Sequence, residues 1–388
     1  MQVLHNFDEI RPYRDDEMPQ MMNKILGDPA FAKVLKKLFH NDLAVEKIRE
    51  DMACTKTIES FQTKFMVPFV QNIIDTSTHG LFISGLENLN KNQSYLYISN
   101  HRDIVLDSAF LNFEMYRFGY KPTQIAMGSN LLIWPWIEDI ARINRSIIVK
   151  RNIPVKQMLE SSRQLSEYMR YSIKNNGNSI WIAQREGRAK DGFDQTQPSL
   201  LKMLNMSNEK SSYVEGFSEL QIVPMAISYE IEPCGNEKVA ELLERQSNQD
   251  FHKTEMDDLL SMASGLKNQK GQVQIQFAPP ISRKTLEEIT TNGSVNENLK
   301  NLAEYIDRQI YTNYRLYPNN YIAYDFCFKS SKYIDKYTPE QKEAFIEITH
   351  QRLQLVNQDK AEALELWLKM YAMPVVNHEN CKTAVIEK

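Results

Sequence analysis

Seven short apolar runs limit what this chain can fold into: LFISG (81–85), YLYIS (95–99), QIAMG (124–128), SIIV (146–149), SIWIA (179–183), QIVPMAIS (221–228) and QVQIQFA (272–278). Each is bounded by polar or turn residues, and their length and β-branched or aromatic content mark them as strands. Between the fourth and fifth, Pro154 to Lys174 reads as a single helix with Pro154 near its first turn. Strands that alternate with helices bury their apolar faces by layering, so the expected class is α/β: a mostly parallel sheet with helices on both faces. Pro224, inside the sixth run, predicts an edge strand or a bulge, because proline cannot donate to a ladder. Pro279-Pro280 closes the seventh.

Both ends of the chain read as helical. Asp28-Pro29 starts a helix with Phe31, Val34, Leu35, Leu38 and Phe39 on one face and Lys33, Lys36 and Lys37 on another. A second apolar-rich segment runs from Phe61 to Ile74, interrupted by Pro68. Near the other end, Thr338-Pro-Glu-Gln341 has the form of a capping box ahead of Phe345, Ile348 and Leu353. A later helix carries Leu364, Trp367, Leu368 and Met370. The expected organisation is a helical region over 1–80, an α/β domain over 81–285 and a helical region over 286–388.

The 388 residues include 42% hydrophobic and 25% charged, which excludes collagen-like, disulfide-scaffold and wholly disordered chains. No apolar run approaches the roughly 18 residues that span a bilayer. The N-terminal MQVLHNFDEIRPYRDDEM has acids where a secretory signal needs an apolar stretch. Cys54, Cys234, Cys327 and Cys381 stand far apart with no CxxC pair, which reads as reduced thiols in a cytoplasmic protein and not as a zinc ribbon. Net charge is −4, yet Arg142 to Lys190 holds eleven Lys/Arg against three Glu and no Asp. One concentrated basic stretch in an acidic protein suits an anionic small molecule or an anionic membrane surface better than nucleic acid.

Chemistry concentrates in four blocks. In SNHRDIVLDSAFL (99–111) a strand ends at Ser99, His101 follows at the turn into a helix, and Asp103 and Asp107 follow it. Histidine takes a proton near neutral pH, and a carboxylate on its second ring nitrogen sets the tautomer. Either acid can be that partner; in the bland alternative Asp103 is a helix N-cap and His101 a satisfied loop residue. No serine nucleophile stands beside the histidine, so the hydroxyl that attacks would be the acceptor's own. The second block, INRSIIVKR (143–151), is a strand with Arg145 before it and Lys150 and Arg151 at its end. The third, SIWIAQREGRAKDG (179–192), runs from a strand into a turn carrying Arg185, Glu186, Gly187, Arg188 and Lys190. Guanidinium groups at strand ends can clamp a phosphate, and Gly187 would let backbone approach a ligand. The bland reading is a pair of solvated basic strand ends. The fourth block, IVPMAI (222–227), is by its chemistry only a buried strand.

These four blocks, in this order, resemble the glycerolipid acyltransferase superfamily, which includes 1-acylglycerol-3-phosphate and glycerol-3-phosphate acyltransferases. Asn100-His101 with Leu106-Asp107 is similar to that family's NH-to-Asp motif, and 126–151 looks most like the glycerol-3-phosphate branch. The third block resembles FxEGxRSRxG, and the fourth the family's IVPV strand. Five residues separate His101 from Asp107 where the family has four, which keeps Asp103 a rival. One residue is missing between Gly187 and Arg188.

The resemblance implies a glycerol-phosphate acyltransferase-like fold and an O-acyltransferase. His101 would be the general base and Asp107 its partner. Arg151 and Arg188, with Lys190 and Arg145 nearby, would hold a phosphate, and Glu186 and Gly187 would shape the turn. The donor would be an acyl thioester on coenzyme A or acyl carrier protein. The acceptor would be glycerol 3-phosphate or a lysolipid, with no metal and no bound cofactor. Two alternatives stand beside this reading: another lipid hydroxyl as acceptor, such as a lyso amino acid lipid, or a catalytically silent lipid-binding homologue. Peripheral contact with an anionic membrane, through 29–39 or 61–74 lying in the interface, is expected as readily as packing of those helices on the α/β domain.

Overall fold

The computed structural model describes residues 7–386 apart from 40, 210, 211, 249 and 292. Residues 1–6 and the side chains of Leu38 and Phe39, on which sequence expectations fell, lie outside the described residues. The strands are β1 (Leu81–Ser84), β2 (Leu96–Ser99), β3 (Gln124–Gly128), β4 (Ser146–Val149), β5 (Ile180–Ala183), β6 (Ile222–Tyr229) and β7 (Val273–Phe277). Ahead of them lie helices α1 (Met18–Gly27), α2 (Pro29–Phe39), α3 (Asp42–Ala53), α4 (Ile58–Phe61) and α5 (Val67–Ser77). Among the strands run α6 (Leu106–Arg117), α7 (Pro135–Ile143), α8 (Val155–Asn175), α9 (Pro198–Asn205), α10 (Tyr213–Ser218), α11 (Gly235–Ser247) and α12 (Glu255–Lys267). After them come α13 (Arg283–Ile289), α14 (Val295–Asn313), α15 (Pro318–Cys327), α16 (Pro339–Gln354) and α17 (Lys360–Ile386).

All seven expected runs are strands of one sheet, in the order β1-β7-β6-β2-β5-β3-β4. The five from β6 to β4 run parallel, while β7 pairs antiparallel to β6 and parallel to β1. Side-chain alternation divides the core. Leu96, Ile98, Ile180, Ile182 and Ile222 face α8, α9 and α14 on one side. Tyr97, Trp181, Val223 and Met225 face α5 and α6 on the other. The sheet is therefore covered on both faces, as the class requires. Because α14 supplies Leu299, Leu302 and Ile306 to this core, the α/β layer draws on residues past the boundary expected at 285.

Pro224 corrects one expectation: it sits in β6, between β2 and β7, and not at an edge. The physical reason is where the ladder ends. Pairing of β6 with β7 runs from Tyr229↔Val273 to Met225↔Phe277, one residue short of Pro224. Its carbonyl still accepts from Ala278 N (2.9 Å), and the missing donor costs only a terminal rung.

The local start signals hold where they are read. Asp28 Oδ1 accepts from Ala30 N at 2.7 Å at the start of α2. The Thr338–Gln341 box closes in both directions at the start of α16. The apolar faces expected either at a membrane or in packing are packed: Phe31, Leu35, Phe61, Val70 and Ile73 are all buried. Phe31 and Leu35 share a core with Ile143 of α7. No described helix is long and apolar enough to cross a membrane.

Candidate active site

In an open parallel sheet, the strand ends and helix starts meet at the carboxyl edge, and ligands bind there. Here β2 ends at Ser99 and the chain turns through His101 into α6. Two clips hold that turn. Asn100 bonds both backbone groups of Ile227 in β6, donating to its O at 2.9 Å and accepting from its N at 2.8 Å. Ala189 N, in the turn after β5, donates to His101 O at 3.2 Å. The first, third and fourth sequence blocks are thereby tied together by hydrogen bonds.

The extra residue in the first block is absorbed by a turn at Ile104–Val105, so that α6 begins at Leu106 and Asp107 lies in its first turn. The Asp107 carboxylate folds back over that start and is fully buried. Oδ2 accepts from Arg102 N (2.6 Å) and Asp103 N (3.1 Å) and lies 2.8 Å from His101 Nδ1. Oδ1 accepts from the Tyr229 hydroxyl at 2.7 Å. A carboxylate offers only lone pairs, so the ring nitrogen facing it carries hydrogen, and in the neutral ring Nε2 is left to accept. The His101 ring stands edge-on to Trp181, with centroids 5.5 Å apart.

Asp103 does something else. Its Oδ1 accepts from Val105 N (2.9 Å) and Leu106 N (2.8 Å), capping α6. Burial, and then the neighbouring Asp107 carboxylate, push its pKa up. Helix α12 passes so closely that a Cβ on Gly265 would sit 2.1 Å from Asp103 Oδ2. Of the two rival acids, Asp107 touches the imidazole and Asp103 holds the turn.

His101 opens on a cleft of about 1050 Å³. Its lining includes the apolar side chains of Ile104, Met127, Val149, Leu165, Leu200 and Met203. In the same lining seven cations (Lys150, Arg151, Arg185, Arg188, Lys190, Arg245 and Lys253) outnumber the three carboxylates Glu186, Glu241 and Asp258. Arg151 Nη1 pairs with Glu186 Oε2 at 2.9 Å, and Lys190 with Glu241 Oε1 at 2.9 Å. Burial lowers the Lys190 pKa against the pull of Glu241. Arg188 is buried, and its Nη1 donates to Cys234 Sγ at 2.7 Å. Burial of the thiol pushes the Cys234 pKa up to about 12, against the lowering pull of the Arg188 guanidinium. Gly187 lies at φ +70° with open space where a Cβ would be. Its glycine answers to the left-handed backbone of the turn, not to crowding.

Arg145 is not brought to this cleft. It precedes β4, whereas Arg151 follows it, so the two lie at opposite ends of the strand. The Arg145 guanidinium instead donates to Asn178 Oδ1 at 3.0 Å. The basic excess read from 142–190 also splits: Arg170 and Lys174 pair with Glu219 on α10's side of the sheet. Sequence reading missed Tyr229, Cys234 and the cations of 245–253. Tyr229 carries no local signal, since an aromatic residue at a strand end is ordinary. Among the described residues no cluster of His, Cys, Asp and Glu is arranged to hold a metal ion.

The fold is an α/β layer with a histidine–aspartate pair at the carboxyl edge of its sheet. Residues 80–228 match the family model described as Acyltransferase, from the residue before β1 almost to the end of β6. All four blocks fall within the matched residues. Among solved structures, the 1-acyl-sn-glycerophosphate (LPA) acyltransferase PlsC from Thermotoga maritima matches with a TM-score of 0.37 and 12% identity, over 76% of this chain and 91% of that one. No curated protein matches the sequence.

Proposed function

We propose that the protein transfers a fatty acyl group from a thioester, on coenzyme A or acyl carrier protein, to a hydroxyl of glycerol 3-phosphate or 1-acylglycerol 3-phosphate. The reading rests on one observation: an imidazole held through Nδ1 by a buried carboxylate opens on a cleft lined by both apolar side chains and an excess of cations. An acyl chain matches the apolar side chains and a phosphate the cations.

In the proposed step, His101 Nε2 takes the proton of the acceptor hydroxyl while its oxygen attacks the thioester carbonyl. The C–S bond then breaks, and the imidazolium returns the proton to the leaving thiolate. Ester and free thiol are formed with no covalent enzyme intermediate, and Asp107 stabilises the transient positive charge. Arg151 and Lys190 hold the phosphate by exchanging Glu186 and Glu241 for it, since a planar guanidinium matches phosphate oxygens as well as carboxylate ones. Arg188 adds its charge to the cleft wall while Cys234 fixes its position.

The test is purified enzyme with an acyl thioester and glycerol 3-phosphate or its 1-acyl form, the product identified by mass spectrometry. His101→Ala should lose about 10²–10⁴ in rate while remaining folded. Arg151→Gln should raise KM for the phosphorylated acceptor by about 10–100-fold, the worth of a charged hydrogen bond. A folded His101→Ala protein with wild-type turnover overturns the base assignment. Phosphate-free lipid acceptors used equally well overturn the acceptor class.

A further inference from the structure

The fourth sequence block ends as a strand with no chemical role assigned to it, and its last residue leads into the site. Tyr229 closes β6, two residues beyond Ile227. Alternate residues of a strand share a face, so Met225, Ile227 and Tyr229 all point to the side of the sheet that carries α6. The pair of hydrogen bonds between Asn100 and Ile227 fixes β6 against the turn that bears His101, and with it the distance from Tyr229 to that turn.

We infer that Tyr229 is a positioning residue for acyl transfer, acting on His101 through Asp107, and that β6 exists in this register to deliver it. Its hydroxyl donates to Asp107 Oδ1 at 2.7 Å, while Oδ2 alone takes the backbone donors and faces the imidazole. A carboxylate pinned through one oxygen only can rotate about its Cβ–Cγ bond. With the second oxygen held by Tyr229, the oxygen facing His101 Nδ1 has one orientation. The ring then presents Nε2 to the cleft in one pose, which a base must do before it can take a proton in the transition state. The site is dry here: both Tyr229 and Asp107 are buried, so no solvent molecule substitutes for the phenol at low cost. Tyr229 does not line the cleft, and it should leave substrate affinity alone.

The inference rests on the His101 base reading, and the experiment separates the two. Tyr229→Phe keeps the ring and removes the hydroxyl. Steady-state kinetics of Tyr229→Phe, Asp107→Ala, the double variant and His101→Ala are compared, with melting temperatures for each. Tyr229→Phe should lower kcat by about 10–100-fold, the worth of a hydrogen bond to a charged group. KM for donor and acceptor should stay within twofold. In the Asp107→Ala background the same change should cost nothing further, because the residue it acts through is gone. Wild-type kcat in a folded Tyr229→Phe enzyme overturns the inference, as does a full additional loss in the Asp107→Ala background. If His101→Ala is itself fully active, the base reading fails instead. Should Tyr229→Phe melt too low to assay, Asn100→Asp, which keeps one acceptor but removes the donor to Ile227 O, displaces Tyr229 indirectly; it should show the same kcat loss with unchanged KM, and unchanged kcat counts against the inference.

Discussion

Exchanging each of the two acids after His101 for its amide separates their roles sharply. In Asp107→Asn, three N–H groups surround the position of Oδ2, so the amide oxygen turns to them and the NH₂ faces Tyr229, whose hydroxyl can rotate to accept. Geometry is thus retained, and what is lost is the negative charge beneath the imidazolium. A hydrogen bond to a charged group is worth about 1.5–3 kcal/mol, so kcat should fall by about 10–150-fold. In Asp103→Asn, the amide oxygen still caps Val105 N and Leu106 N, and a buried carboxyl disfavoured in its charged form disappears. That variant should keep kcat within about threefold and melt no lower than wild type. The assay follows thiol release from the acyl thioester at saturating acceptor, with differential scanning fluorimetry alongside. Equal loss of kcat in the two variants, or a larger loss in Asp103→Asn, would refute the assignment of Asp107 as the partner of His101.

Two further outcomes are expected. Burial raises the Asp307 pKa from 3.8 to about 6, although Thr196 donates to it through both N and Oγ1. A folded-state pKa above the unfolded one gives stability that is complete below about pH 4 and lost as pH rises through about 6, a cost of about 3 kcal/mol at neutral pH. Asp307→Asn keeps the Oδ1 acceptor, so its melting temperature should rise above wild type as pH climbs from 4 to 7; a gap that does not change with pH would count against this. At the cleft mouth, Val155, Met158 and Leu159 at the start of α8 are exposed, and Met158 also lines the cleft. Flotation with anionic vesicles should capture wild type more strongly than a Val155→Asp/Leu159→Asp variant, and equal capture would remove this rim as a membrane contact.

Much of the fold is written locally. A run such as SIIV or QVQIQFA announces a strand because its β-branched and alternating residues suit a half-buried or buried pleat whatever lies beside it. Thr338–Gln341 and Asp28 announce helix starts because a cap satisfies donors within three residues of itself. His101 stands out for the same reason, as a titratable residue at a strand-to-helix turn. The direction of a parallel sheet could also have removed Arg145, since only the residues after a strand reach the carboxyl edge.

Partnerships over long separations are another matter. Asp103 and Asp107 are equivalent on paper; the turn at Ile104–Val105 absorbs one extra residue and thereby sends one carboxylate to the imidazole and the other to a backbone cap. Tyr229 reaches Asp107 across 122 positions, and Asn100 reaches Ile227 across 127. Sheet order, not spacing, brings them together. Pro224 shows the same limit, because whether a missing N–H matters depends on where the neighbouring strand stops. The residues alone determined which segments become strands and which side chains can do chemistry. Only the packed sheet decided which of them meet, because a buried carboxylate takes whatever donors the tertiary fold sets around it.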